Sequence, residues 1–238
     1  MSSRKNSSRN QRVTIENLES RTLFSLASAA SDVYIYGLAP VLANITQQID
    51  TNVSAPNNTT GQAPINQFAN SQTYPTPTNS IIVRPNADTL YSTAWLNLAN
   101  GPVVLHTPDT GSNFELFQFL DAYTNTFAGI GTRTTGSGAQ NVLVAGPNWV
   151  GIVPQGLTLI KAPTNTVWVI GRIATPQDAN GNPEFAPINA LQAQLSITPL
   201  ANYLTGSYTP PANVPITPLS SGLVATETDD QNVLGLRV

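Results

Sequence analysis

The sequence contains no cysteine and only one histidine, His106. The lack of cysteine excludes disulfide bonds, thiolate metal sites and cysteine nucleophiles. A single histidine cannot supply a metal site that needs several imidazoles. His106 could act as a general base, but no G-x-S-x-G elbow accompanies it, and a surface or turn position at the end of a strand is the simpler interpretation. We therefore expect neither a metal nor a cofactor.

Charge is also scarce, because only 10% of the residues are ionisable acids or bases and the formal net charge is −3. Half of the ten basic residues fall within the first 21 positions, and the remaining chain is acidic. This leaves no basic patch that could neutralise phosphates, so we expect no nucleic-acid binding by the folded part. The early basic residues are Arg4, Lys5, Arg9, Arg12 and Arg21.

No stretch of the sequence approaches 18 consecutive apolar residues, so we expect no transmembrane segment. Residues 1–26 instead predict a disordered, Ser/Asn/Arg-rich start that carries an address. The segment Ile15–Ser25 resembles the LEPR-XLL motif of exported or surface proteins in planctomycete-like bacteria, with Ser20 in place of its proline and Phe24 in place of a leucine. The resemblance implies export to the cell envelope, periplasm or cell surface. The alternatives are an amphipathic helix and a weak signal peptide with a small-residue cleavage site at Ala27–Ala30.

The composition favours strands joined by turns, since proline, glycine, asparagine and threonine are abundant. Residues 26–50 predict a helix that Pro40 kinks or interrupts, residues 51–79 a long loop, and residues 187–201 a short helix. Short apolar runs between turn signals predict an antiparallel β-sandwich or barrel in residues 80–175, with Gly129–Gly138 as a hairpin loop. The runs are Ile81–Val83, Leu90–Leu98, Pro102–His106, Phe114–Leu120, Asn141–Ala145, Leu157–Lys161 and Thr166–Ile173.

The predicted organisation has three parts. Residues 1–26 form the N-terminal address, residues 27–204 form one mainly β (α+β) domain, and residues 205–238 form a Pro/Ser-rich, linker-like tail. The domain is expected to be an antiparallel β-sandwich with a packed N-terminal helix and a short C-terminal helix.

Several motifs in the same order resemble the bacterial family catalogued as domain of unknown function 1254. The resemblance implies an exported, mostly β domain, and it implies no particular reaction. Relatives typically carry aspartate where this chain has Asn97, and many continue into a second domain, of unknown function 1214. The matching stretches are Asp32–Pro40, Arg84–Trp95, Gly101–Leu105, Leu120–Phe127, Gly131–Gly136, Pro163–Arg172 and Asn189–Leu200.

Two carboxylates are the candidate catalytic residues. Asp88 lies in a turn before one predicted strand, and Asp121 ends another. If these strands are neighbours, Asp88 and Asp121 could flank a cleft and divide the acid and base roles of a hydrolase or lyase. The alternative is that each accepts backbone N–H bonds and only stabilises its turn.

The candidate binding residues are polar and aromatic side chains on strand ends and loops. Arg133 and Arg172 could hold a substrate carboxylate or phosphate, or could pair with Asp88 and Asp121 in a buried network, which is the interpretation we favour. The leading hypothesis is a module that binds a small molecule or a separate envelope protein. The alternatives are the carboxylate enzyme and a purely structural surface module. The predicted pocket comprises Asn86, Asp88, Tyr91, Asp121, Tyr123, Asn125 and Arg133.

Overall fold

The computed structural model describes residues 18–76 and 86–219, with side chains from residue 26 onward. The chain divides into two compact units, Met1–Leu38 and Ala39–Val238. The first predicted apolar run, at 81–83, lies outside the described residues, as do residues 1–17 and all side chains of the LEPR-XLL-like segment.

Helix α1 spans Leu18–Asp50 and continues through Pro40. The helix is therefore not interrupted at this proline, although a proline inside a helix removes one backbone hydrogen bond. Its segment Leu26–Asp50 is long and apolar enough, by length and composition alone, to cross a membrane. The sequence expectation of no such segment considered only unbroken apolar runs, whereas serine, glycine, proline and uncharged polar residues interrupt this one, and Asp32 and Asp50 are its only charged residues.

Nine strands and two further helices follow α1 in the described part of the chain. Their bounds are β1 Ala69–Asn70, β2 Thr89–Asn97, β3 Val103–Thr107, β4 Glu115–Leu120, β5 Thr126–Gly131, β6 Gln140–Ala145, β7 Thr158–Lys161, β8 Thr166–Ala174, α2 Phe185–Gln192, β9 Ser196–Pro199 and α3 Leu200–Thr205. The strands form a five-stranded sheet in the order β1-β2-β8-β4-β5 and a four-stranded sheet in the order β7-β6-β3-β9. All pairings are antiparallel except β6 with β7.

The core lies between the two sheets and follows from alternating side chains. Along β8, every second residue is buried, because successive side chains of a strand point to opposite faces. Phe117 and Phe119 of β4 are completely buried, as are Leu105 of β3 and Val144 of β6. These side chains belong to one apolar cluster contributed by both sheets. The predicted class, a mainly β (α+β) sandwich with an N-terminal and a short C-terminal helix, is confirmed.

Three strands were not predicted from the sequence, and the first of them, β1, lies in the predicted loop 51–79. Strand β5 lies partly in the glycine-rich stretch that predicted a loop, and β9 interrupts the predicted helix 187–201. Ile197 of β9 pairs with Leu105 in the register of β3, and it is 3% exposed. This long-range pairing and burial outweigh the local helical pattern, which persists only in α2 and α3.

The tail predicted to be linker-like is tied to the loop that follows α1. The Asn52 side chain donates to the Thr217 carbonyl (2.7 Å) and accepts from the Thr217 amide (2.8 Å). The Val214 amide donates to the Ser54 carbonyl at 2.9 Å. Part of this tail is therefore held against the second unit by hydrogen bonds rather than extending freely.

Gly131, the last residue of β5, provides a test of the packing. A Cβ atom at Gly131 would clash with the Glu115 carbonyl oxygen, and the φ of Gly131 is +133°. We expect Gly131→Ala to lower the free energy of unfolding by about 2–4 kcal/mol, from the clash and the strained φ together. Chemical denaturation would measure this change.

Gly136 is the matched control, because its φ is also positive (+92°) but no atom lies within 4 Å of the position that a Cβ atom would take there. Gly136→Ala should cost only the backbone strain, about 1 kcal/mol. Equal losses for the two variants would contradict the close approach of β5 to β4.

Candidate functional site

The two candidate catalytic carboxylates lie at opposite ends of the five-stranded sheet. The Asp88 carbonyl accepts a hydrogen bond from the amide of Thr175, which follows the last residue of β8. Asp121 follows Leu120, which pairs with Trp168 near the start of β8. At about 3.3 Å per residue, the two positions are separated by roughly 25 Å along β8. The hypothesis that Asp88 and Asp121 flank one cleft is therefore wrong.

Asp121 organises the turn between β4 and β5. It is 8% exposed, and its Oδ1 accepts hydrogen bonds from the amides of Tyr123 (2.8 Å) and Asn125 (2.9 Å). Its Oδ2 accepts from the Asn125 side chain at 3.3 Å. Thr124, between these residues, has a φ of +63°. Asp121 and Asn125 therefore have the contacts expected of turn-stabilising residues.

The motif around Asp88 is also a local hydrogen-bonded turn. The Asn86 side-chain oxygen accepts a hydrogen bond from the Asp88 amide. The Asn86 amide donates to the Tyr91 hydroxyl at 3.2 Å. The side chain of Asp88 is exposed. Asn86 and Tyr91 are thus in contact at one end of the sheet, far from Asp121, Tyr123 and Asn125.

Substitution of the two aspartates should separate their structural contributions. Asp121→Ala removes a buried acceptor of three hydrogen bonds and should lower the free energy of unfolding by about 1–3 kcal/mol. Asp88→Ala, at an exposed position, should change it by less than about 0.5 kcal/mol. Urea denaturation of both variants measures the difference, and a larger loss for Asp88→Ala would contradict these assignments.

The outer face of the five-stranded sheet carries a row of side chains from three strands, which we call the outer row: Tyr91, Gln118 and Arg172. Tyr91 pairs directly with Arg172 across β2 and β8, and the Arg172 guanidinium carbon lies 5.2 Å from the centre of the Tyr91 ring. Arg172 Nη1 approaches Gln118 Oε1 at 3.5 Å. The Gln118 amide in turn donates to the Thr126 hydroxyl.

A stacked tryptophan pair extends the same face toward the other end of the sheet. Trp95 and Trp168 lie opposite each other in register, with ring centres 4.9 Å apart and planes inclined by 5°. The Trp95 indole donates to Asp50 at 3.0 Å. The Trp168 indole nitrogen is buried and has no hydrogen-bond partner among the described residues. Trp168 lies half-buried on the outer face.

Arg172 has no carboxylate within ion-pairing distance in the described part of the chain; its polar contacts are Tyr91 and Gln118. Arg133 is exposed and lies 5.6 Å from the Phe114 ring centre. The predicted ion-pair network of the two arginines with Asp88 and Asp121 is therefore wrong for the described residues. A half-buried guanidinium keeps several N–H donors available for an anionic partner.

Glu115, which the sequence analysis did not single out, is a buried acid at the start of β4. It is 1% exposed, and neither carboxyl oxygen has a hydrogen-bond partner of normal geometry in the described residues. Burial, and to a smaller extent the Asp109 carboxylate, raise the pKa of Glu115 from 4.5 to about 7, and the Thr110 side chain partly offsets both effects. The sequence does contain a signal for this residue. Glu115 is two positions before Phe117 and four before Phe119, so strand alternation places its charge on the same face as these two apolar side chains.

The raised pKa has a consequence for stability. Unfolded, Glu115 titrates near its ordinary pKa of 4.5, whereas folded it keeps its proton up to a pH of about 7. Between these values the unfolded state binds fewer protons, so Glu115 lowers stability as the pH rises, by about 3 kcal/mol in total, and the loss levels off above pH 7.

Glu115→Gln should abolish this contribution. Relative to the wild type, the variant should gain about 3 kcal/mol in free energy of unfolding between pH 4.5 and pH 8. Urea denaturation across this range measures the gain. Asp109→Asn should reduce the pH dependence without abolishing it, since it removes only one cause of the shift. Parallel pH profiles for wild type and Glu115→Gln would contradict the assignment.

An open pocket of about 430 Å³ lies elsewhere on the sandwich and includes Asn97. The Asn97 side-chain oxygen accepts a hydrogen bond from the Ala99 backbone amide at 3.0 Å, and the backbone amide of Asn97 donates to Asn66 Oδ1 at 3.0 Å. The pocket therefore has apolar walls and a neutral asparagine rim. Its other lining residues are Ile65, Asn100, Gly101, Pro102, Val103, Pro199, Leu200, Ala201 and Leu204.

His106 lies within β3, near its end, and contacts Asn141 through Nδ1 at 2.9 Å. Among the described residues, no group of three or more histidine, cysteine, aspartate or glutamate side chains could hold a metal ion.

The fold and its contacts define a two-sheet α+β sandwich with a polar and aromatic outer face. The chain belongs to the family described as protein of unknown function DUF1254, which matches residues 65–199. This confirms the family predicted from the sequence. No curated protein matches the chain.

The fold also resembles that of a solved protein. The VPA0106 protein from Vibrio parahaemolyticus has 23% identity and a TM-score of 0.56, over 87% of this chain and 50% of that one. An uncharacterised protein from Burkholderia cenocepacia has 11% identity and a TM-score of 0.38, over 81% of this chain and 46% of that one. The chain thus spans about half the length of these two proteins, and the first likeness supports the fold alone.

Proposed function

We propose that the domain is a binding module whose outer row captures an anionic group, most simply a carboxylate, of a small molecule or of a partner protein. The observation that carries this proposal is Arg172, a half-buried cation without a carboxylate partner in the described residues. Removing a charge from water is costly unless an opposite charge compensates it. A ligand carboxylate would provide that compensation through paired N–H···O bonds.

The surroundings of Arg172 support a ligand that is apolar beside its anionic group. Tyr91 packs under the guanidinium, which fixes its orientation. Ile170, Leu116 and Trp168 lie on the same face by strand alternation and are half-buried. An aromatic carboxylate would therefore combine the charge of Arg172 with contacts to apolar side chains.

The alternatives draw less support from the geometry. A carboxylate enzyme that uses Asp88 and Asp121 loses its basis, since these residues lie at opposite ends of the sheet. A purely structural role explains Asp121 well, but it does not explain why Arg172 has no acidic partner among the described residues. Two of the predicted binding residues belong to this proposal. Tyr91 contacts Arg172 directly, and the backbone amide of Asn86 donates to the Tyr91 hydroxyl.

We also propose that the protein is exported to the cell envelope, periplasm or surface. The support is the apolar segment of α1, which has the length and composition of a signal sequence or membrane span, together with the LEPR-XLL-like segment before it. Fractionation of cells that produce the full chain would test this, and recovery in the cytoplasmic fraction alone would contradict export.

The outer row can be tested with a panel of aromatic carboxylates and their neutral amides, for example benzoate with benzamide and indole acetate with indole acetamide. We expect at least one carboxylate to bind and its amide to bind roughly tenfold more weakly, because the charge-assisted pair is lost. Arg172→Gln should weaken carboxylate binding by a similar factor. Ligand-observed NMR on the full chain measures both.

Arg133→Gln is the matched control, since Arg133 is an exposed arginine that also packs on an aromatic ring. It should leave carboxylate affinity unchanged. The proposal fails if no carboxylate of the panel binds, or if Arg133→Gln and Arg172→Gln weaken binding equally.

A further inference from the structure

The open pocket beside Asn97 is neutral and aliphatic, which separates it chemically from the outer row. Its volume is about 430 Å³, and none of the described residues that line it is acidic, basic or aromatic. Volumes of this size are typical of small-molecule sites, which combine mostly apolar walls with a few polar groups. The side chains of Ile65, Val103, Leu200 and Leu204 contribute to the apolar walls. A ligand here therefore meets alkyl groups and no counter-charge.

Two asparagine side chains supply directional polar groups at this pocket. Asn66 Oδ1 accepts a hydrogen bond from the Asn97 backbone amide, and Asn97 Oδ1 accepts one from the Ala99 backbone amide, both at 3.0 Å. Because a backbone amide can only donate, these contacts fix which end of each side chain is the oxygen. Neither Nδ2 group has a hydrogen-bond partner among the described residues. The two side chains therefore offer N–H donors, while each oxygen already holds a donor.

Backbone contacts hold the parts of this pocket together. The Asn66 backbone amide donates to the Trp95 carbonyl at 2.8 Å, so Asn66 is tied to β2 at both Trp95 and Asn97. The Leu200 amide, at the start of α3, donates to the Pro102 carbonyl at 3.0 Å and ties this helix to the connection between β2 and β3. Ligand binding would therefore require little further ordering of the pocket, which favours affinity.

We propose that this pocket binds a neutral aliphatic molecule through a carbonyl oxygen, as in an aliphatic amide or ester. The oxygen would accept hydrogen bonds from Asn66 Nδ2 and Asn97 Nδ2, and the alkyl chain would cover Leu204, which is 63% exposed. A charged ligand is disfavoured because it would leave water without meeting an opposite charge. The site goes beyond the outer row and does not depend on it, since its described lining contains no residue of β8.

The pocket can be tested with N,N-dimethyloctanamide, an aliphatic amide that accepts hydrogen bonds but donates none, and with octanoate as its charged counterpart. A ¹H–¹⁵N NMR spectrum of the full chain reports the side-chain NH₂ groups of asparagine as well as the backbone amides. When the neutral amide is added, we expect saturable shifts at the NH₂ groups of Asn66 and Asn97 and at the Leu204 backbone amide. Octanoate should bind at these residues roughly tenfold more weakly.

Asn97→Asp is the sharpest variant, because it keeps the oxygen that the Ala99 amide contacts and replaces the N–H donors by an acceptor. It should weaken binding of N,N-dimethyloctanamide by roughly tenfold, since two acceptors then face each other. Asn66→Asp should have the same effect. Asn180→Asp is the matched control, because Asn180 is exposed in a turn and does not line the pocket. Arg172→Gln separates this site from the outer row, and both of these variants should bind the neutral amide like the wild type.

The inference is overturned if N,N-dimethyloctanamide causes no saturable shifts at Asn66 and Asn97, or if octanoate binds there as tightly. Equal losses of affinity in Asn180→Asp and Asn97→Asp would also overturn it. A loss of neutral-amide binding in Arg172→Gln would place the ligand at the outer row and contradict a separate site.

Discussion

The antiparallel pairing of β8 with both β2 and β4 is the constraint on which the rest of the structure depends. A strand with a partner on each side cannot shift by one residue without moving every side chain to the other face. In the observed register, Val167, Val169 and Ile173 face the core and are completely buried. Gly171 leaves room for Phe117, whose ring would clash with a Cβ atom there. The same register places Arg172 beside Tyr91 and Gln118 on the opposite face.

Two ionisable residues show how the faces of the sheet differ chemically. Glu115 is adjacent to Ile173 in the register and faces inward, where burial raises its pKa to about 7. Arg172 lies one position along β8 and faces outward, and a guanidinium remains charged at any physiological pH. The inner face therefore favours the neutral form of its acid. The outer face keeps a permanent positive charge next to aromatic rings, and this asymmetry is why we assign ligand binding to the outer face.

Much of the fold could be predicted because its main strands alternate strongly. The runs Phe114–Leu120 and Thr166–Ile173 correspond closely to β4 and β8, since their inward positions are apolar. Strand β5 has glycine at positions 129 and 131, and the structure needs a glycine at 131 because β4 approaches closely. A local pattern cannot distinguish such a glycine from one in a loop, since the cause lies in a distant part of the chain.

The candidate site was only partly predictable for the same reason. A sequence shows that Asp88 precedes one strand and Asp121 follows another, but it does not show which strands pair or in which direction. The hydrogen-bonding pattern Asp121-x-Tyr123-x-Asn125 is local and fits the turn interpretation that the sequence analysis kept open. Arg172 could be noticed as a charge at the end of an apolar strand. That Arg172 has no acidic partner among the described residues follows only from the pairing of the strands, which a sequence does not show.

The most direct test of the central claim is an NMR measurement on the Arg172 side chain. A ¹⁵N spectrum of the arginine guanidinium groups, recorded while an aromatic carboxylate is added to the full chain, reports contact at each arginine separately. The account predicts that the Arg172 signals shift in a saturable manner, together with the amide signals of Tyr91 and Gln118, while the Arg133 signals stay unchanged. Saturable shifts confined to residues of the open pocket, such as Asn97 and Leu204, would contradict it.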